Sequence, residues 1–255
     1  MDNNKYKAPA LEKGLDIIEF LATQPVAQSQ SEIALGLNKS PNEIYRMLSA
    51  LEARGYVHRD AISSKYALTL KLYYLSHHQS IIEKLRSAAL QPMKQTSLKL
   101  MEPCHLGVLF NDKVLVIAYS KSPFPISVMI EEGNLYEICN TASGKILLSS
   151  IDDENRQLIL RKEPNYITLS VQEKQQYIKN LETINKQGYL EMASTYAQGV
   201  VDFSVPIGNS ASGIVACLTV SKLLTINQNN QLSNEKIIEA LLNCKKDIES
   251  NLGLF

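Results

Sequence analysis

The chain has 255 residues, with 26 Lys/Arg against 26 Asp/Glu and 45% hydrophobic residues. That length allows one large domain or two smaller ones with a real core. Zero net charge excludes a globally basic nucleic-acid binder, so a DNA role would have to rest on local placement of charge. No apolar run approaches the roughly 20 residues of a membrane helix, and no membrane partner is expected. Cys104, Cys139, Cys217 and Cys244 are widely separated, with no CxxC pair, and the N-terminus MDNNKYKAPALEKG has no signal-peptide core. Both features read as reduced thiols in a cytoplasmic protein.

Residues 10–23, ALEKGLDIIEFLAT, place Leu11, Leu15, Ile18 and Leu21 on one helical face, and Gln24-Pro25 breaks it. Ser29 then caps a second helix, with Glu32 three residues later and Ile33, Ala34 and Leu37 apolar. After the short turn Asn38-Lys39 comes SPNEIYRMLSALEARG. Ser40 stands at an N-cap, Pro41 in the first turn and Glu43 three residues after the cap, which is a capping box. Ile44, Leu48 and Leu51 form the buried stripe, and Gly55 closes the helix. YVHRD and KYALT are strand candidates around the polar turn AISS. The unit reads as a helix-turn-helix with a β-hairpin wing. In such a unit the second helix of the motif presents its N-terminal residues to base edges in the major groove. Ser40 caps that helix at the DNA end, and Asn42, Tyr45, Arg46 and Ser49 lie off the apolar stripe. In the wing, Arg59, Ser63, Ser64 and Lys65 are placed to touch phosphates. Residues 1–76 carry nine Lys/Arg against eight Asp/Glu, so these contacts rest on position and not on bulk charge.

The stretch SPNEIYRMLSALEARGYVHRD, with KYALTLKLYYL behind it, resembles the N-terminal domain of IclR-type bacterial transcriptional regulators. Arg46, Leu48, Leu51, Glu52, Gly55, Val57, Tyr66 and Leu68 fill the family's characteristic places. Thr69 and Ser76 stand where the family usually has glycine.

Residues 70–101 are helical in pattern, and Pro92 is expected to start or kink a separate helix. The adjacent His77-His78 point in different directions on a helix, which argues against a metal site. From residue 103 the pattern turns to β. HLGVLF and KVLVIAYS flank the tight turn Asn111-Asp112, and PISVMIEE is a third strand candidate. ICNTASGKILLSS opens a short helix. Helices are expected at 153–161 and at 171–187, the latter closed by Gly188. YLEMAST, VVDFSVPI and GIVACLTV are further strands, and a helix over roughly 232–251 completes the chain. The expected fold class is α+β, with a winged helix-turn-helix domain over 1–76, a linker helix over 77–91 and a second α+β domain over 92–255. Gly144-Lys145 lacks the rest of a phosphate loop, and GNSASG at 208–213 lacks the glycine of a nucleophile elbow. No catalytic residue, metal ligand or cofactor site is assigned.

The resemblance extends through SPFP, EEG, NTASGKILLS and KQGYLEMASTYAQGVVDFSVPI, and so covers nearly the whole chain. It implies a GAF-like effector-binding domain, a small organic acid as effector, a double-stranded DNA operator and a homodimer or tetramer. Carried over, the implied effector residues are Val128, Tyr136, Ala142, Ser143, Met192, Asp202, Thr219 and Ser221. The N–H groups of Ala142 and Ser143 would open a helix, a suitable place for a carboxylate. Two departures stand out. The family's acidic run is here Glu191-Met192-Ala193-Ser194-Thr195, and Asp202 stands where a small neutral residue is usual. A carboxylate at 202 would repel a bound acid, so a sugar or another hydroxyl- or amino-bearing ligand enters the set. The alternatives are a small-metabolite enzyme using the N-terminal unit to oligomerise, and a winged helix that binds protein instead of DNA.

Overall fold

The computed structural model describes residues 8–77, 81–224 and 232–254. They fall into two compact units, divided between Ser80 and Ile81.

The first unit contains helices α1 (Pro9–Ala22), α2 (Gln30–Gly36) and α3 (Pro41–Ala53), strands β1 (Val57–Arg59) and β2 (Tyr66–Leu68), and helix α4 (Lys71–His77). Its core joins Ile17, Leu21, Ile33, Ala34, Ile44, Leu48, Val57 and Tyr66. The stripe on α1 differs from the expected one. Ile17 is fully buried, whereas Leu11 and Leu15 are exposed at 63% and 47%. Both α2 and α3 open with complete capping boxes, Ser29 with Glu32 and Ser40 with Glu43, each cap contributing about 1 kcal/mol. After α3, Gly55 adopts φ +73°, a conformation that costs glycine no steric clash. The wing pairs antiparallel, Val57 opposite Leu68 and Arg59 opposite Tyr66. Its turn is built on Asp60, whose Oδ1 accepts from the N–H of Ile62 and of Ser63 and from the Ser63 hydroxyl. Thr69, at a place usually held by glycine, needs no left-handed backbone here. Its hydroxyl donates to the Gly55 carbonyl at 2.6 Å and accepts from the Lys71 N–H at 3.1 Å, tying the end of α3 to the start of α4. His78 lies outside the described residues.

The second unit opens with α5 (Ile81–Leu100). Pro92 lies buried inside this helix and starts no separate one, so the helix begins well before the expected domain start at 92. Six strands follow in the antiparallel order β5-β4-β3-β8-β7-β6: β3 (Cys104–Phe110), β4 (Lys113–Ser120), β5 (Leu135–Glu137), β6 (Leu190–Ala193), β7 (Val200–Asn209) and β8 (Ile214–Leu223). The β3–β4 hairpin turns on Asn111 and Asp112, both at positive φ, which gives the tight connection its preferred hand. Between β5 and β6 come α6 (Ala142–Ser150), α7 (Asp153–Leu160), α8 (Pro164–Ile167) and α9 (Val171–Gln187), the last closed by Gly188 in the left-handed conformation. A single 3-10 turn, Ser210–Ser212, joins β7 to β8, and α10 (Asn234–Leu252) ends the unit. The expected strand PISVMIEE does not form, while β5 forms just beyond it. Pro123 and Pro125 lack N–H donors, and the edge of β4 at Val116 is taken by the backbone of Gly133 and Asn134. Side chains hold the segment instead: the Tyr119 hydroxyl donates to the Val128 carbonyl at 2.9 Å.

Alternation along the strands separates two faces. Leu106, Phe203, Val205, Leu218 and Val220 point to one side and pack with α5 and α10 residues such as Met93, Leu241 and Ile248. The other side carries His105, Asp202, Ser204, Thr219 and Ser221, and α6 and α9 lie over it with Ile146, Leu147 and Leu181. The core on that side is interrupted by a polar stripe, and α6 seats on the sheet beside it. Gly144 lets the start of α6 pack tightly on the turn after β5, because a Cβ there would overlap the Ile138 carbonyl. Gly144→Ala should therefore destabilise the protein by about 3 kcal/mol through overpacking. Urea unfolding that shows wild-type stability for this variant would refute the close seat.

Candidate functional site

In the first unit, Asn42, Tyr45, Arg46 and Ser49 are all exposed and follow one another at i, i+3, i+4 and i+7, while Ile44 and Leu48 are buried on the opposite face. The helix thus offers one continuous polar face from its N-terminal turn onward. Ser40 stands at the head of that face, but its hydroxyl is committed to the helix end. It donates to Glu43 Oε2 at 2.9 Å and accepts from the Glu43 N–H at 3.4 Å. Lys13 donates to Glu43 Oε1 at 2.6 Å; this contact, with the Ser40 hydrogen bonds, holds the Glu43 carboxyl at about 2. In the wing, Ser63 is likewise spent on Asp60, and Ser64 occupies the left-handed turn position at φ +58°. Lys65 lies 3.4 Å from Glu32, and the Arg59 guanidinium sits 5.7 Å over the Tyr66 ring. Five of the nine residues singled out (Asn42, Tyr45, Arg46, Ser49 and Ser64) have no side-chain hydrogen bond or ion pair recorded among the described residues, and the other four also serve the unit's own fold.

In the second unit a cavity of about 270 Å³ opens where α6 meets the polar stripe of the sheet. Val128, Tyr136, Ala142, Ser143, Asp202 and Ser221 line it, as expected from the sequence. Met192 does not. It is the cross-strand partner of Asp202, but it faces a different cavity on the α9 side of α6. Thr219 does not reach the space either, being fully buried behind Ser143. Nine lining residues were missed, four of them polar: His105, Thr141, Ser194 and Tyr196. Tyr196 packs edge-on against Tyr136 with ring centroids 5.5 Å apart, and its hydroxyl accepts from the Glu137 N–H at 3.3 Å. These contacts hold residues 194–197 at the mouth.

At the α6 end, Thr141 caps the helix by accepting from the Gly144 N–H at 3.1 Å. The N–H groups of Ala142 and Ser143, in the first turn, have no partner within the helix and carry the positive end of its dipole. At the sheet end, Ser221 donates to Asp202 Oδ1 at 2.6 Å, and Ser194 adds a second hydrogen bond. Burial raises the Asp202 pKa, and these two hydrogen bonds oppose the shift. Among the described residues no Lys or Arg lines the cavity. Between the two ends runs a buried chain: His105 Nε2 lies 3.1 Å from Ser143 Oγ, which lies 2.8 Å from Thr219 Oγ1, which lies 2.7 Å from Ser204 Oγ. A serine and a histidine in contact invite comparison with a nucleophile and its base. Here His105 Nδ1 has no partner among the described residues, so the orienting carboxylate of a triad is missing. Burial also holds the imidazole down at about 4, so it is neutral at pH 7.

A histidine with a folded-state pKa of about 4 and an ordinary value of 6.5 binds its proton more readily in the unfolded chain. Its contribution to stability is present above pH 6.5 and is lost as the pH falls toward 4. The raised carboxyls of Asp202 and of Glu102 (at about 7) act with the opposite sign. The difference between wild type and His105→Gln isolates the histidine: stability of the variant should fall less steeply between pH 6.5 and 4 in urea melts. Parallel curves would show that His105 is not held neutral by its burial.

Family models for the IclR helix-turn-helix domain and for the bacterial transcriptional regulator IclR C-terminal domain match residues 10–61 and 77–250. The chain is 28% identical over 194 residues to the HTH-type transcriptional regulator KdgR of Escherichia coli, covering 75% of this chain and 73% of that protein. It is 27% identical to the KdgR of Dickeya chrysanthemi, again over 75% of this chain but 63% of that protein. Among solved structures, an IclR homolog from Microbacterium hydrocarbonoxydans complexed with 4-hydroxybenzoate superposes with a TM-score of 0.78 at 22% identity, covering 96% of this chain and 100% of that one. The IclR of Thermotoga maritima superposes at 0.65 and 24% identity, covering 95% and 98%. Both likenesses are of fold. The chain belongs to the IclR family of bacterial transcriptional regulators, with that family's helix-turn-helix DNA-binding domain followed by its effector-binding domain.

Proposed function

We propose that the exposed face of α3 reads an operator in the major groove, and that the 270 Å³ cavity holds the small molecule that modulates this binding. The observation that carries the DNA reading is the run Asn42, Tyr45, Arg46, Ser49 on one solvent-facing stripe, with Arg46 able to pair bidentately with a guanine. Ser40, Arg59, Ser63, Ser64 and Lys65 border it and contact the phosphate backbone. Leu11 and Leu15, exposed on α1, join two copies, so a homodimer or a tetramer presents paired wings to half-sites one helical turn or a multiple apart. Such a protein works in the cytoplasm. The cavity serves as a sensor, since among the described residues no carboxylate orients His105 behind Ser143.

Arg46→Ala should weaken operator binding by about 1–3 kcal/mol while leaving fold stability near wild type. Lys65→Ala should weaken specific and non-specific DNA alike and reduce the salt slope by roughly one unit. Gel-shift titration at several salt concentrations separates the two, and unchanged affinity removes the residue from the interface.

The effector carries a polar or anionic end at the Ala142 and Ser143 N–H groups and a hydroxyl or amino group at Asp202, with apolar atoms against Val128 and Tyr136. The 4-hydroxybenzoate bound to the Microbacterium relative has this pairing of one carboxylate with one hydroxyl at opposite ends. Asp202→Ala should abolish the effector response and spare operator binding. Asp202→Asn should keep part of it, because the amide still forms hydrogen bonds. A thermal-shift screen with sugars, amino compounds and organic acids tests both variants. Equal stabilisation of wild type and Asp202→Ala by plain dicarboxylates would place Asp202 outside the site.

A further inference from the structure

A second cavity, of about 620 Å³, lies between α9 and the edge strand β6, with Lys145 of α6 in its wall. Lys145 is half-buried and interacts electrostatically with the Cys139 thiol, itself kept neutral by burial that raises it to about 11. Among the described residues no carboxylate comes within ion-pairing distance of this ammonium. Glu191 lines the same cavity but accepts instead from Asn234 Nδ2 at 2.6 Å. Burial disfavours the ammonium, which is the cost of removing a cation from water without a counter-ion.

We propose that this cavity is a second ligand site, taking a small aliphatic monocarboxylate whose carboxylate pairs with Lys145 and whose chain lies on Ile184, Leu190 and Met192. The class follows from the donors present. One ammonium supplies one positive charge, the match for a monocarboxylate. Among the described residues the lining has no second cation to balance a phosphate dianion, and Asn180 and Gln187 are neutral. The site is separate from the effector cavity. Ala142 and Ser143 face one space and Lys145, two residues on, faces the other, so α6 stands between two ligands.

The two cavities each hold one methionine, Met129 in the effector cavity and Met192 in this one. Methyl-labelled methionine in the full chain, with the two signals assigned through Met129→Leu and Met192→Leu, distinguishes them by NMR. Titration with butyrate should shift the Met192 methyl saturably. Lys145→Gln should weaken that binding about tenfold or more, as expected for losing a charge-assisted contact, and Lys145→Arg, which keeps the charge, should restore most of it. A Met192 signal that does not move, or moves equally in Lys145→Gln, overturns the site. Movement of Met129 alone assigns the carboxylate to the effector cavity and also overturns it. Inorganic phosphate shifting Met192 as tightly as butyrate overturns the monocarboxylate class.

Discussion

The second unit depends on how closely α6 packs against the turn that leads into it from β5. Gly144 lies against the Ile138 carbonyl with no room for a side chain, and Thr141 ties down the helix start. That seat brings Ser143 into hydrogen-bonding contact with His105 of β3 and Thr219 of β8, so one hydroxyl joins helix and sheet across a stripe where apolar packing is interrupted. A polar stripe beneath a helix is destabilising unless its groups are paired. The His105–Ser143–Thr219–Ser204 chain provides that pairing. The same seat places Ala142 and Ser143, at the start of α6, in the wall of one cavity and Lys145 in the wall of another. Support of the fold and presentation of the site are therefore the same contact.

Much of this was legible in the sequence where local rules decide. The capping boxes at Ser29 and Ser40, the Asn111-Asp112 hairpin and the Gly188 stop all formed as their residues dictate, because caps and turns are settled within four or five positions. The exposed stripe of α3 was legible for the same reason. On α1 the sequence offers two overlapping apolar stripes, and only packing with α2 and α3 selects Ile17 over Leu11 and Leu15. Pro92 was misleading because its cost falls on one missing N–H and one crowded turn, which a 20-residue helix packed along its length absorbs. PISVMIEE alternates like a strand, yet the edge it would pair with is already occupied.

The cavity was partly legible. Strand alternation puts Asp202 and Ser221 on one face, and a helix start puts Ala142 and Ser143 near it. Alternation could not tell that α6 would divide that face, leaving Met192 on the far side although it pairs with Asp202 in register. Thr219 was placed on the right face but one layer too shallow, since nothing in the sequence says that a serine will sit on top of it. His105 carried no signal at all. A lone histidine in an apolar strand reads as core, and only the contact with Ser143 gives it a role.

Charge explains how one neutral chain serves two recognition tasks. On α3 the groups proposed to read DNA are exposed, so water and salt screen them, and their use rests on geometry against base edges. In the cavity Asp202 is desolvated, no Lys or Arg among the described residues lines the space, and the first turn of α6 brings positive potential to it. A helix end provides about half an elementary charge, enough to favour one anionic group there and no more. A ligand carboxylate placed at Asp202 would have to share a proton with it, because two carboxylates in a dry space do not both ionise. A ligand hydroxyl or ammonium needs no such proton and can donate directly to the carboxylate that Ser221 and Ser194 hold in place. In the proposed effector site, a carboxylate at Asp202 therefore favours the donor end of a ligand at the sheet, while the helix end favours an anion.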